Sequence, residues 1–286
     1  MNEENALTLE NVTVKYGEGT PFALTALDDI NIGFEKGKIT GIIGHTGSGK
    51  STLAQLTNGL LKPTSGKVLF GNDDIHQSKD FLNKVRFKVG LVFQYPEYQL
   101  FEETVLKDIM FGPKNMGLAQ DDILRRAMSA AKFCGLDEEV LQSSPFEISG
   151  GQKRRAALAG VIAMEPDVLV LDEPAAGLDP RGRDDILGGI TSFQKEVKNT
   201  MLLISHSMED IARYADNILV LKNGKVFMSG TVENIFSEAI KIFDAGLDLP
   251  QITKLFIELQ KRGVVDRTDI FTVAYAKKVL EQKIKI

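Results

Sequence analysis

The sequence predicts an α/β fold: a parallel sheet presenting a phosphate-binding loop, with strand-rich sequence before it, a helical region inserted within it and a small helical domain at the C-terminal end. Three observations carry the prediction. Residues 39–43 form a short apolar run, and 168–171 and 201–204 are short, unbroken ones, the pattern of strands buried on both faces. A helix-length segment separates the last two, giving a strand–helix–strand order. Gly44-His45-Thr46-Gly47-Ser48-Gly49-Lys50-Ser51 follows the first run and fits G-x-x-x-x-G-K-[ST].

Taken in chain order, residues 7–37 read as strands. Ile30, Ile32 and Phe34 alternate with polar or small residues, and Leu7, Leu9, Val12 and Val14 nearly alternate, with one slip that predicts a bulge. Gly and Pro punctuate a loop over 17–22. After the glycine loop a helix is expected over 50–61, a turn over 62–66 and a buried strand over 89–93. From about residue 94 to 160 the character is helical. Within it, 121–135 places Ile123, Leu124, Ala127, Ala130 and Ala131 on one side. Asn223-Gly224 between two apolar runs predicts a hairpin. Near the end, Pro250 opens a helix whose Ile252, Leu255, Phe256 and Leu259 share a face and which Gly263 closes; another helix is expected over about 269–283.

Composition excludes several function classes. The 286 residues are 43% hydrophobic and 26% charged, ordinary for a globular chain, with a net charge of −5 that argues against sequence-independent nucleic-acid binding. Cys134 is the single cysteine, so no internal disulfide forms and a reducing compartment is expected. Met1-Asn2-Glu3-Glu4-Asn5 lacks the basic and apolar regions of a signal peptide. No apolar window reaches the length of a membrane span, so a partner would have to hold the chain at a membrane.

The chemistry is concentrated in a few segments. From Gly44 to Thr52, including His45, Thr46, Gly47, Ser48 and Gly49, the loop can curl so that several N–H groups face one anion, and the helix that follows adds its positive end. Lys50 supplies a point charge to the outer phosphates of ATP, and the Ser51 hydroxyl suits Mg²⁺. The strand over 168–171 ends in Asp172-Glu173: Asp172 is placed to hold Mg²⁺ and Glu173 to deprotonate an attacking water. Ser149-Gly150-Gly151-Gln152 begins a helix with two glycines. Ser149 suits an N-cap, and the glycines leave backbone N–H groups open to a second anion. Lys153-Arg154-Arg155 reads as a solvated basic face.

The order of these motifs resembles the nucleotide-binding subunit of an ABC (ATP-binding cassette) transporter, over about residues 5–235. The resemblance implies a P-loop NTPase of the ABC-ATPase fold, with a RecA-like core, an antiparallel β subdomain and a helical subdomain at about 95–160. The nucleotide-binding domain would span 1–230 and a C-terminal helical domain, a dimer contact, 231–286. Ile148 stands where the family usually has leucine before the signature serine. The resemblance implies that two cassettes pair head to tail, Ser149, Gly150, Gly151 and Gln152 of one closing over the ATP of the other. It implies further that Gln94 touches Mg²⁺ and the water, that His206 bonds the γ-phosphate, that Asp179 crosses the dimer interface and that Tyr16 stacks on adenine. Packing of Tyr16 on the core is the alternative.

Outside the shared motifs, Gly19-Thr20-Pro21-Phe22, the segment 93–101, Phe111-Gly112-Pro113 and Gly246-Leu247-Asp248-Leu249-Pro250-Gln251 resemble energy-coupling factor (ECF) transporter ATPases, with the first resembling the second ATPase of heterodimeric modules. This implies a peripheral ATPase on the cytoplasmic face of a prokaryotic membrane. Its partners would be a second ATPase subunit, a transmembrane coupling protein and a substrate-binding membrane protein that imports a vitamin or metal ion. Glu97, Tyr98, Leu100, Phe101 and Glu102 would form an apolar groove with an acidic rim for the coupling protein's helices. A soluble, non-transport ABC ATPase acting in DNA repair or translation is the alternative function.

Overall fold

The computed structural model describes residues 4–238, 241–242 and 246–284. The leader reading at residues 1–3, and the parts of the expected C-terminal domain at 239–240, 243–245 and 285–286, lie outside the described residues. The strands are β1 Asn5–Tyr16, β2 Leu24–Glu35, β3 Ile39–Gly44, β4 Ser65–Phe70, β5 Asp73–Asp74, β6 Val89–Val92, β7 Val168–Asp172, β8 Thr200–Ile204, β9 Asn217–Lys222 and β10 Lys225–Thr231. The helices are α1 Lys50–Thr57, α2 Lys79–Lys88, α3 Val105–Asn115, α4 Gln120–Phe133, α5 Glu138–Gln142, α6 Gly150–Ile162, α7 Pro180–Val197, α8 Met208–Tyr214, α9 Val232–Ser237, α10 Gln251–Lys261 and α11 Val273–Ile284.

Two sheets form. The larger has the order β10-β9-β3-β8-β7-β6, parallel except for the β9–β10 hairpin; the smaller is antiparallel, β2-β1-β4-β5. The unbroken apolar runs are explained by burial on both faces. On β7 and β8, Leu169, Leu171, Met201 and Leu203 enter the core under the helices, while Val168, Val170, Leu202 and Ile204 enter the core under the antiparallel sheet. The predicted slip in β1 is a register shift between Leu9 and Val12, where Asn11 has φ 50° and its N–H bonds Asn31 Oδ1 at 2.9 Å. Asn223 and Gly224 both have positive φ, as a two-residue hairpin turn requires.

Five expectations are corrected. The helix after the glycine loop stops at Thr57, short of residue 61, because Asn58 and Gly59 (φ +69°) turn the chain. Leu124 faces solvent, and so does Leu255 on α10, each at the edge of its apolar stripe. The last helix starts at Val273 because Thr272 caps it, its Oγ1 accepting the Tyr275 N–H at 3.3 Å. Arg154 is not on a solvated face but only 5% exposed.

Helices α3 to α6 pack together beside β6, and α9 packs on the main core through Val232, Ile235 and Phe236. Phe256, Val265, Ile270 and Ala276 make a separate small core around α10 and α11. Among the described residues, no helix is long and apolar enough to cross a membrane.

Candidate active site

The sheet order explains how residues far apart in sequence meet. Strands β3, β8, β7 and β6 are adjacent and parallel, so their C-terminal ends open at one edge. The glycine loop follows β3, His206 follows β8, Asp172-Glu173 ends β7 and Gln94 follows β6. Ligands of such sheets bind outside these strand ends. A cleft of about 400 Å³ lies there, and Thr46, Gly47, Gly49, Lys50, Ser51, Thr52, Gln94, Asp172, Glu173 and His206 all line it, with Tyr16 at one end.

Within the loop, Gly47 (φ +80°) and Gly49 (φ +105°) adopt backbone angles closed to most side chains, which turns the chain into the start of α1. Gly44 and Ser48 are buried behind the loop. His45 bonds the hairpin turn, its Nε2 lying 3.1 Å from Asn223 Oδ1. The Lys50 ammonium donates to Gly44 O at 2.7 Å and His45 O at 3.0 Å, two of its three N–H groups. Burial lowers its pKa, opposed by the charges of Glu173 and Asp172. Tyr16 is 40% exposed at the mouth, its hydroxyl 3.3 Å from Thr52 Oγ1. This geometry disfavours the core-packing alternative for Tyr16.

The carboxylates are largely withdrawn from the surface. Asp172 is buried; burial raises its pKa, while the neighbouring Ser51 hydroxyl and the Lys50 charge oppose the rise. Glu173 has φ 54°, a strained conformation for a non-glycine residue. Its N–H is held by Ile204 O at 3.1 Å. Burial first, then the Asp172 charge, pushes its carboxyl up to about 7. Its buried Oε1 accepts no hydrogen bond, although His206 Nε2 is 3.5 Å away. Burial, followed by the Lys50 charge, lowers the His206 pKa, which favours the neutral imidazole. A base near neutrality beside an unpaired oxygen suits proton abstraction from water.

Among the described residues no three His, Cys, Asp or Glu side chains gather as metal ligands. Mg²⁺ is commonly held by one or two carboxylates together with substrate phosphates, and the Ser51 hydroxyl and Asp172 carboxylate, which line the same cleft, fit that demand.

Besides Gly44, His45 and Ser48 of the loop, two further groups of expected site residues do not line the cleft. Ser149 caps α6: its Oγ accepts the Gln152 N–H at 3.3 Å, and Gln152 Oε1 accepts the Ser149 N–H at 2.8 Å. Ser149 and Gly150 are exposed, and the space beside Gly150 is open. Asp179 caps α7 by accepting the Gly182 N–H at 2.9 Å. Sequence reasoning missed Leu24, Thr25 and Ala26, which line the cleft beside Tyr16. The pairing of Tyr16 with Leu24 across β1 and β2 is the signal that could have found them.

The segment after Gln94 is divided. Leu100 and Phe101 line a second cleft of about 350 Å³ with Phe111, Gly112 and Met164, and Phe101 meets Phe111 edge to face at 4.9 Å. Asp108 accepts the N–H groups of Phe101 and Glu102. Tyr98 is 84% exposed. Glu97 does not join the acidic rim expected of it: its carboxylate turns inward to Arg154, with Oε1 2.9 Å from Nη2.

Residues 27–176 match the model of the family described as ABC transporter. The chain belongs to the ABC transporter family. Its ABC relatives include the energy-coupling factor transporter ATP-binding protein EcfA2 of Clostridium acetobutylicum, 53% identical over 273 residues, which are 95% of this chain and 96% of that protein. The protein of the same description from Caldanaerobacter subterraneus is 52% identical, covering 95% of each chain. Among solved structures, cbiO1 from Clostridium perfringens, described as part of the ABC transporter complex cbiONQ, superposes with a TM-score of 0.75 at 40% identity, over 88% of this chain and 99% of that one. The ATP-binding cassette MJ0796, solved as a dimer in a post-hydrolysis state bound to ADP and Pi, gives a TM-score of 0.72 at 29% identity, over 79% and 98%. The fold is thus that of an ABC ATPase, and its close relatives are ECF transporter ATP-binding subunits.

Proposed function

We propose that this ABC ATPase hydrolyses ATP as one half of a composite site and drives an ECF-type importer of a vitamin or metal ion from the cytoplasmic face of a prokaryotic membrane. The observation that carries the composite reading is the division of phosphate-binding groups. The cleft holds Lys50, Glu173 and His206, whereas the α6 N-terminus begins outside it, with Ser149 and Gly150 exposed and the space beside Gly150 open. An exposed helix start with two glycines suits the γ-phosphate of a second chain's ATP.

In this reading the glycine loop and Lys50 hold the β- and γ-phosphates, and Tyr16 packs on adenine. Ser51 and Asp172, with Gln94, would hold Mg²⁺, which when bound neutralises charge on the phosphate oxygens. Glu173 takes a proton from water. The water oxygen bonds to the γ-phosphorus as the bond to the ADP oxygen breaks, releasing ADP and phosphate. Neutral His206 donates a hydrogen bond to the γ-phosphate, and Asp179 meets the other cassette. Partners are a second ATPase subunit, a transmembrane coupling protein and a substrate-binding membrane protein, with no nucleic acid. Co-purification from detergent-solubilised membranes tests this: membrane subunits that raise ATP turnover support it, and a chain recovered only with soluble proteins contradicts it.

The cleft lined by Leu100, Phe101 and Phe111 is the contact for the coupling protein, with Glu102 at its rim. Phe101→Asp would put a charge where an apolar helix face docks, and is expected to reduce recovery of the membrane subunit by at least about tenfold without lowering ATP affinity. Quantitative pull-down beside a nucleotide-binding assay checks this; full recovery would remove the cleft from the contact.

A further inference from the structure

Arg154 is buried, and every group that its guanidinium meets belongs to a loop of the candidate site. Its Nε donates to Glu97 Oε2 at 3.2 Å and its Nη2 to Glu97 Oε1 at 2.9 Å, a two-pronged ion pair. Nη2 also reaches the carbonyl of Gln94 at 3.5 Å, and Nη1 bonds the carbonyl of Ala176. Three segments therefore meet at one planar group. The first is the segment after β6, with Gln94 and the 3₁₀ turn Pro96–Gln99. The second is the loop between Glu173 and Asp179. The third is α6 itself, whose exposed start at Ser149 lies five residues before Arg154 on the same rigid helix.

Burying such a pair is a weak way to gain stability, because apolar residues of similar size usually serve as well. What an arginine fork adds is fixed geometry: five donors in one plane, set at defined angles. A lysine at 154 could balance the Glu97 charge as a point, but could not hold Glu97 and both carbonyls at set angles.

We infer that Arg154 and Glu97 form a positioning pair that locks the Gln94 segment, the loop after Glu173 and the Ser149 helix start in one register, so that the phosphate surface offered to the other cassette moves with the segment beside the coupling-protein cleft. Neither residue touches the nucleotide cleft. The pair therefore governs turnover and coupling and leaves ATP capture alone. This inference rests on the composite-site reading above.

The test uses the complete membrane complex and four variants of this chain: Arg154→Met, Arg154→Lys, Arg154→Met combined with Glu97→Met, and Ser149→Arg. Melting temperature, KM for ATP and kcat are measured for each. Arg154→Met leaves the Glu97 charge buried and unpaired, so both melting temperature and kcat fall. The double variant removes that charge and is expected to regain the melting temperature while kcat stays at least about tenfold low with KM within about twofold. Arg154→Lys should fall between wild type and Arg154→Met in kcat. Recovery of kcat together with the melting temperature in the double variant would show a purely structural pair and overturn the inference. Ser149→Arg separates the two readings. Lost turnover in that variant beside wild-type kcat in the double variant defeats only the positioning pair, whereas intact turnover in Ser149→Arg defeats the composite site on which the inference stands.

Discussion

Glu173→Gln is expected to lower kcat of the assembled complex by about 10²–10³-fold while ATP binding is retained, since a positioned general base contributes on that scale. Glutamine keeps the shape and the left-handed backbone position but cannot accept the proton. The pH dependence should follow the same residue. With the carboxyl of the nucleotide-free chain pushed up to about 7, wild-type kcat/KM should fall as pH drops through 7 and level off above it. A second consequence concerns stability in the absence of nucleotide. Burial raises the pKa of Glu173 in the fold, from an ordinary 4.5 to about 7. Below pH 4.5 the carboxyl is neutral in both folded and unfolded chains, and it affects stability little. Between 4.5 and 7 the unfolded chain loses its proton while the folded chain keeps it, and the fold becomes progressively less stable. Above 7 the full cost is present, on the order of 3 kcal/mol for that difference in pKa. Glu173→Gln should therefore raise the melting temperature at pH 8 and hardly change it near pH 4. Thermal melts at the two pH values, beside single-turnover hydrolysis, check both halves. Unchanged single-turnover hydrolysis in the variant would remove Glu173 from the role of base.

Gly49→Ala is expected to weaken ATP binding by at least about 10²-fold, the scale of losing two hydrogen bonds to a charged group at about 1.5–3 kcal/mol each. Gly49 has φ +105°, and a Cβ there would lie 2.7 Å from the Ala26 carbonyl oxygen and 2.5 Å from Leu27 Cδ2. The Ala26 oxygen belongs to a paired strand and cannot swing aside as a surface side chain does. The loop must give way, and with it the N–H groups at the start of α1. Gly47 makes the comparison. It too has positive φ, but nothing lies within 4 Å of its Cβ position. Against the protein itself Gly47→Ala meets only the backbone cost, roughly 1–3 kcal/mol. Titration with a fluorescent ATP analogue should rank wild type above Gly47→Ala and Gly47→Ala above Gly49→Ala. Equal affinities for the two variants would contradict the loop geometry.

What the sequence disclosed and what it hid divide along physical lines. The glycine loop, Asp172-Glu173 and the apolar strands are local signals, and the sheet brings them together because each lies at the end of one of four adjacent strands. The slip in β1 and the Asn223-Gly224 turn were legible for the same reason, each depending on its own residues and one neighbouring strand. Arg154 was not legible: a run of Lys-Arg-Arg ordinarily faces water, and only the approach of Glu97 and Ala176 from distant segments makes burial tolerable. Glu97 is hidden for the complementary reason, because its partner Arg154 comes from within the chain. Leu124 and Leu255 show that helical spacing marks a stripe but not its width. The raised pKa of Glu173 depends on depth of burial and on Asp172, of which only the second is visible in sequence.

The central claim is that the glycine loop, Lys50 and Glu173 make half of an ATPase site. The most direct measurement is ATP turnover per chain as the second ATPase subunit is titrated into a fixed amount of this one, at saturating ATP. Turnover close to zero is expected for the chain alone, rising with the added subunit to a plateau at one-to-one stoichiometry. Full turnover by the isolated chain, independent of its concentration and of any added subunit, would contradict it.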